Sequence, residues 1–190
     1  IIGGIDPAAG GDNSAIVIRS AHLAEVVFNQ KLQNTMDLVS RVVDINREYK
    51  VDMWVVDKTG IGQGVWDRLQ EMDYNVRGVS FGEKSEDAQY GNLKAEWHFR
   101  LRKWVIGGGK LKQDYGWNEL EIVKYKNKDG KIVIQPKEDL FREGIASPNV
   151  VDAAVLTMAV SDQTVKSSRI MKQMQGREFH DETNRIWRNE

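Results

Sequence analysis

The run Val-Asp-Met-Trp-Val-Val-Asp at residues 51–57 constrains the fold most. It is apolar, rich in β-branched residues and bounded by polar and glycine signals, as a buried central strand would be. A strand covered on both faces belongs to an α/β arrangement with helices over the sheet.

The segments before it alternate at the strand period. Residues 1–6 read as a strand stopped by Pro7 and a Gly10–Gly11 turn, residues 14–19 as a second, and 24–31 as a third. Short strands with tight links predict an antiparallel meander. Thr35 is a candidate N-cap for a helix to about Tyr49, with Leu38, Val42, Ile45 and Tyr49 on one face. After the central strand, Gly60, Gly62 and Gly64 lead into a helix to about Met72, and residues 75–81 suit a further strand. Residues 92–105 are an amphipathic helix ended by three glycines. Residues 121–126 and 131–135 flank Asn-Lys-Asp-Gly, a hairpin signal. Ser147 and Pro148 open a last helix, as N-cap and first residue, running to about Val160. Its Val, Ala, Leu and Met content predicts burial.

This order resembles an RNase H-like α/β domain. The expected sheet is mixed, a three-strand antiparallel meander plus parallel strands, flanked by helices and carrying an auxiliary β-hairpin. In that order the first and fourth strands lie side by side at the sheet centre. The domain is expected over residues 1–162, with a polar C-terminal tail over 163–190.

Composition narrows the function. The chain is 41% hydrophobic and 29% charged, which excludes a disordered polymer, and no apolar run approaches a membrane span. It contains no cysteine, which removes disulfides, thiolate metal sites and cysteine nucleophiles. It opens on Ile1 without Met, so a fragment of a longer protein is expected. The net charge of −1 argues against a nucleic-acid coat, but basic residues outnumber acidic ones about two to one between Lys94 and Lys137.

Three aspartates stand out. Asp6 closes the first strand, Asp57 closes the central one, and Asp152 lies in the second turn of the Val/Ala-rich helix. Alone, Asp6 or Asp57 reads equally well as a turn former, and Asp152 as half of a structural ion pair. Jointly, two on adjacent central strands and one on a helix packed nearby point to a metal cluster. Oxygen ligands without His or Cys suit Mg²⁺ or Mn²⁺. His22, His98 and His180 are scattered, with no zinc spacing. Two ions about 3.5–4 Å apart activate water and stabilise the leaving oxygen of a phosphodiester, so no nucleophilic side chain is needed.

Five stretches in order carry a more specific likeness. They are Gly4-Ile-Asp6-Pro-Ala-Ala-Gly-Gly-Asp12; Val55-Val-Asp57-Lys-Thr-Gly-Ile-Gly-Gln-Gly-Val-Trp-Asp67-Arg-Leu69; Asn92-Leu-Lys-Ala-Glu96-Trp97; Gly130-Lys-Ile-Val-Ile-Gln-Pro-Lys137-Glu138; and Gly144-Ile-Ala-Ser147-Pro148-Asn149-Val-Val-Asp152-Ala-Ala154. The sequence resembles the C-terminal nuclease domain of the large terminase subunit of tailed double-stranded DNA phages, from about Ile2 to Val160. The resemblance implies Asp6, Asp57 and Asp152 as catalytic ligands of two Mg²⁺ or Mn²⁺ ions in an endonuclease that cuts concatemeric viral DNA during packaging. It implies double-stranded DNA, an N-terminal packaging ATPase domain of the same chain, the small terminase subunit and the portal protein as partners, in the host cytoplasm. Many relatives carry Asp where this chain has Asn149, so Asn149 is expected beside the ligands; Asp12 reads as a turn residue that also approaches the site. No Gly-x-x-x-x-Gly-Lys-Ser/Thr loop occurs, so no ATP hydrolysis is expected of these residues.

Lys94, Lys124, Lys126, Lys128 and Lys131 are candidate DNA contacts, the last three around the hairpin expected to touch DNA; the alternative is a solvated face. Trp54, Trp66, Trp97, Trp104 and Trp117 read as core; Trp187 falls in the tail. The rival functions are another RNase H-like nuclease, such as a junction resolvase or RNase H, an actin- or sugar-kinase-like nucleotide-binding domain, and a docking module without activity. The hairpin before the last helix favours the terminase, and 190 residues are few for a two-domain kinase cleft.

Overall fold

The computed structural model describes residues 1–8 and 11–161. The expected tail with Trp187, and Gly10 of the expected turn, lie outside the described residues. All elements described belong to the unit Ile1–Ala159.

The meander is present: β1 (Ile2–Asp6), β2 (Ser14–Arg19) and β3 (Leu23–Gln30) pair antiparallel in sequence order. The central strand β4 (Met53–Asp57) lies parallel to β1, and β5 (Val76–Val79) parallel to β4. A two-residue strand that periodicity did not reveal, β6 (Lys110–Leu111), extends the other edge, giving the order β5-β4-β1-β2-β3-β6. The first and fourth strands are neighbours inside the sheet, and the sheet is mixed, as expected.

Helices cover both faces. On one, α1 (Thr35–Tyr49) and α2 (Gly62–Glu71) bury Leu38, Val42, Val65 and Leu69 against Ile5, Ile16, Trp54 and Val56. Asn34, not the expected Thr35, caps α1, its side chain accepting from the Asp37 amide. On the other face, α5 (Asn149–Leu156) lies across β1 and β2, with α3 (Leu93–Ile106) beside it. Alternation along β1 explains the division: Ile5 faces the α1 cluster, so Gly4 faces α5. Among the described residues, no helix is long and apolar enough to cross a membrane.

Two expectations about chain ends need correction. The strand expected over 121–126 starts only at Tyr125, because Glu121 ends a 3₁₀ segment, Tyr115–Glu121; the hairpin is β7 (Tyr125–Lys128) and β8 (Lys131–Ile134), turned by Asp129 and Gly130, both at positive φ. That pair of left-handed residues is what a two-residue hairpin loop requires. A short helix, α4 (Lys137–Arg142), follows. The last helix starts without the Ser147 cap: Pro148 holds the cap position, and the Ser147 hydroxyl has no hydrogen-bond partner. It ends at Leu156, followed by a 3₁₀ turn Thr157–Ala159. Thr157 Oγ1 donates back to the Ala154 carbonyl at 2.6 Å, and the Arg19 guanidinium takes the Thr157 carbonyl at 3.1 Å, both competing with continued α-helix.

Candidate metal centre

The parallel register pairs Ile5 with Val56, so the next residues, Asp6 and Asp57, leave adjacent strands at the same end of the sheet. A glycine then governs how closely α5 can approach. A β-carbon on Gly4 would stand 1.9 Å from the Ala153 carbonyl oxygen, so only glycine lets α5 lie this near β1. Asp152, immediately before Ala153, is thereby held over the strand that ends in Asp6. It is fully buried, at 0% exposure, and Asp6 is 5% exposed.

Such charges need partners, and the structure supplies cations from two other elements. The Lys94 ammonium of α3 reaches both Asp152 oxygens, at 2.9 and 3.0 Å. Lys137, at the start of α4, stands 3.0 Å from Oδ2. His98, one turn after Lys94, places Nε2 3.7 Å from Oδ1. Burial alone would raise the Asp152 pKa, but Lys94, the nearby His98 ring and Lys137 together hold it well below the carboxylate range. Asp6 goes the other way. Burial pushes it up to about 8; Lys137 and Lys94 oppose the rise, while the charges of Asp152 and Asp57 add to it. Burial draws the Lys137 pKa down, but Asp6 and Asp152 outweigh it and the net shift is upward, with Asp12 contributing. Asp6 thus lies within electrostatic reach of Asp57 and Asp152, and Lys137 within reach of Asp6, Asp152 and Asp12.

Asp57 also forms the turn its other reading predicts: its Oδ1 accepts from the Thr59 amide at 3.0 Å. Asn149 opens α5 one turn before Asp152 and is 6% exposed, so its side chain lies inside the fold. Among the described residues, no group of three or more His, Cys, Asp or Glu side chains is arranged to hold a metal ion as it stands. The donor chemistry nevertheless fits a hard cation. The candidate donors are carboxylates, burial holds the Asp6 pKa up at about 8, and lysine ammoniums compensate Asp152.

The candidate DNA contacts fall into two places. Lys124 and Lys126 are exposed and only loosely paired, with Glu143 at 3.8 Å and Asp139 at 3.6 Å; Lys128 and Lys131 are exposed at the hairpin tip. Lys94 instead reaches inward to Asp152. Sequence reasoning missed Lys137 and His98 as neighbours of the cluster. The i, i+4 spacing of Lys94 and His98 on one helix was the available signal for His98. Trp54, Trp97 and Trp117 are buried, as core residues should be.

No protein-family model matches the sequence, and neither does any curated protein sequence. Solved structures do match. The nuclease domain of the large terminase subunit gp2 of bacterial virus Sf6 is 18% identical, with a TM-score of 0.70, over 84% of this chain and 88% of that one. A mutant of that domain, solved with manganese and beta-thujaplicinol, is 20% identical at 0.70, with the same coverage. The large terminase nuclease from thermophilic phage G20c, with bound magnesium, is 16% identical at 0.59, over 83% of this chain and 79% of that one. The chain has the fold of these terminase nuclease domains.

Proposed function

We propose that the chain is a metal-dependent endonuclease of a phage DNA-packaging motor, with Asp6, Asp57 and Asp152 as ligands of two Mg²⁺ or Mn²⁺ ions. The observation that supports the reading is where the backbone sets these residues. Two leave adjacent parallel strands at one sheet end, and the third is pressed over them through Gly4. Bound there, the ions would activate a water for attack on the phosphodiester and stabilise the leaving oxygen.

The chain's own residues do the rest. The carboxylates would provide the anionic oxygens to the cation, Asp6 in its ionised form. Asp152 would hold a cation while Lys94 and Lys137 keep its carboxylate oriented. Asn149 offers a neutral carbonyl oxygen on the same helical face. The exposed lysines of the hairpin hold the phosphate backbone without reading bases.

On this reading the substrate is concatemeric double-stranded DNA. The partners are a packaging ATPase domain on the same polypeptide, the small terminase subunit and the portal, in the host cytoplasm. The separate β7–β8 hairpin favours this over a junction resolvase or RNase H. Supplying plasmid DNA, a four-way junction and an RNA–DNA hybrid side by side with Mn²⁺ separates the three. Cutting of plasmid DNA without preference for the other two is expected; exclusive cutting of the junction or the hybrid transfers the chain to the rival class.

A further inference from the structure

The start of α5 is capped from outside its own sequence. Helices begin with unpaired amides, normally satisfied by a Ser, Thr, Asp or Asn at the cap. Here Pro148 offers no side-chain acceptor and the Ser147 hydroxyl makes no hydrogen bond. The acceptor is Glu119, in the 3₁₀ segment thirty residues upstream. Its Oε2 takes the Val150 amide at 2.8 Å and the Val151 amide at 3.1 Å.

That segment is itself fixed. Asp114 Oδ1 accepts from the Gly116 amide at 2.7 Å, and the buried Trp117 indole donates to the Lys112 carbonyl at 2.7 Å. Gly116 lies so close to the helix that a β-carbon on it would come within 2.8 Å of the Val150 side chain. The carboxylate therefore holds the first turn of α5 at a set rotation. The residues on either side of the two held amides are Asn149 and Asp152.

We infer that Glu119 is a positioning residue of the metal centre, holding the first turn of α5 so that Asp152 and Asn149 face Asp6 and Asp57. The inference rests on the reading of those aspartates as metal ligands. Glu119 acts through acceptor geometry, so glutamine, which keeps an acceptor oxygen at the same reach, substitutes for it, and methionine, of similar length without that oxygen, does not.

The test compares the wild type with Glu119→Gln and Glu119→Met. Mn²⁺ affinity is measured calorimetrically, exchange of the Val150 and Val151 amides by NMR, and folding by circular dichroism. Glu119→Met is expected to weaken Mn²⁺ binding by about ten- to a hundredfold, the usual effect of losing a group that orients a ligand, and to expose both amides. Glu119→Gln is expected to stay close to the wild type in both. Should Glu119→Met not fold, Glu119→Asp takes its place, because the shortened carboxylate withdraws from both amides. A folded Met or Asp variant that binds Mn²⁺ like the wild type overturns the inference, as does a Gln variant as impaired as Met. A wild type that binds no Mn²⁺ overturns the metal reading itself, and the inference with it.

Discussion

Gly4 on β1 and Ala153 on α5 meet backbone to backbone, with no room for a β-carbon between them. The distance from sheet to helix, and with it the placing of Asp152 over Asp6, is set by a missing side chain. Gly4→Ala must push α5 outward or distort β1. Overpacking of this kind costs about 1–3 kcal/mol, and the contact with a carbonyl oxygen places this site at the upper end. The variant should melt several degrees lower and lose most metal-dependent cutting. Unchanged melting and cutting would show that α5 is free to shift.

Proton binding gives the metal-free protein a distinctive stability profile. Burial raises Asp6 from 3.8 to about 8 and Glu119 from 4.5 to about 7. The folded state keeps both protons where the unfolded chain has released them. Their stabilising effect is complete below pH 4 and is lost as pH rises through about 7–8. Asp152 is shifted downward, so its contribution is present above pH 4 and lost on acidification. Metal-free stability should therefore peak near pH 4 and decline from there toward pH 8.5. If Asp6 ligates Mn²⁺, binding competes with its proton, so the stabilisation by Mn²⁺ should grow over the same alkaline range. Melting scans at pH 5.5, 7 and 8.5, with and without Mn²⁺, check both trends; a metal-free protein most stable at pH 8.5 would refute them.

The lysines divide by placement. Replacing Lys126, Lys128 and Lys131 with Ala should flatten the salt dependence of DNA binding by up to about 0.9 in log–log slope per lost phosphate contact, alike on all sequences. Lys94→Met should leave that slope alone. It should instead destabilise the metal-free protein by about 2–3 kcal/mol, less than loss of a sole partner costs, because Lys137 still faces Asp152. Filter binding across a salt series and denaturant melts read the two effects separately; a change of slope for Lys94→Met would place it on the DNA-facing side.

Much of this was legible in the sequence because it is written in local pattern. Strand-period runs ending in Asp6 and Asp57, and a Val/Ala-rich helix interrupted by Asp152, marked the elements, and the likeness of their order to an RNase H-like domain implied that the first and fourth strands are neighbours. What was not legible comes from packing between distant segments. Glu119 lies in an irregular stretch, and nothing local shows that its carboxylate reaches amides thirty residues on. Ser147-Pro148 has the spelling of a helix start, yet tertiary packing supplied a different acceptor. Lys94 is one of many basic residues along its stretch, and its inward direction depends on where α5 docks.

Asn149 is buried and shares a face with Asp152, so a carboxylate there would add an anionic donor to the cluster. Asn149→Asp should lower the Mn²⁺ concentration needed for half-maximal cutting, since a neutral amide oxygen holds a hard cation less tightly. Superimposable metal titrations of the two proteins would place Asn149 outside the ligand set.

The central claim is that Asp57 is a metal ligand and not only the former of the turn at Thr59. Asp57→Asn keeps the oxygen that accepts from the Thr59 amide and removes the charge, so the fold should survive. The measurement is cleavage of plasmid DNA in Mn²⁺, Mg²⁺ and EDTA by the wild type and this variant, with melting curves for both. The wild type should cut with either ion and be silent in EDTA, and the variant should melt normally and cut with neither. Full cleavage by a folded Asp57→Asn protein would contradict the assignment.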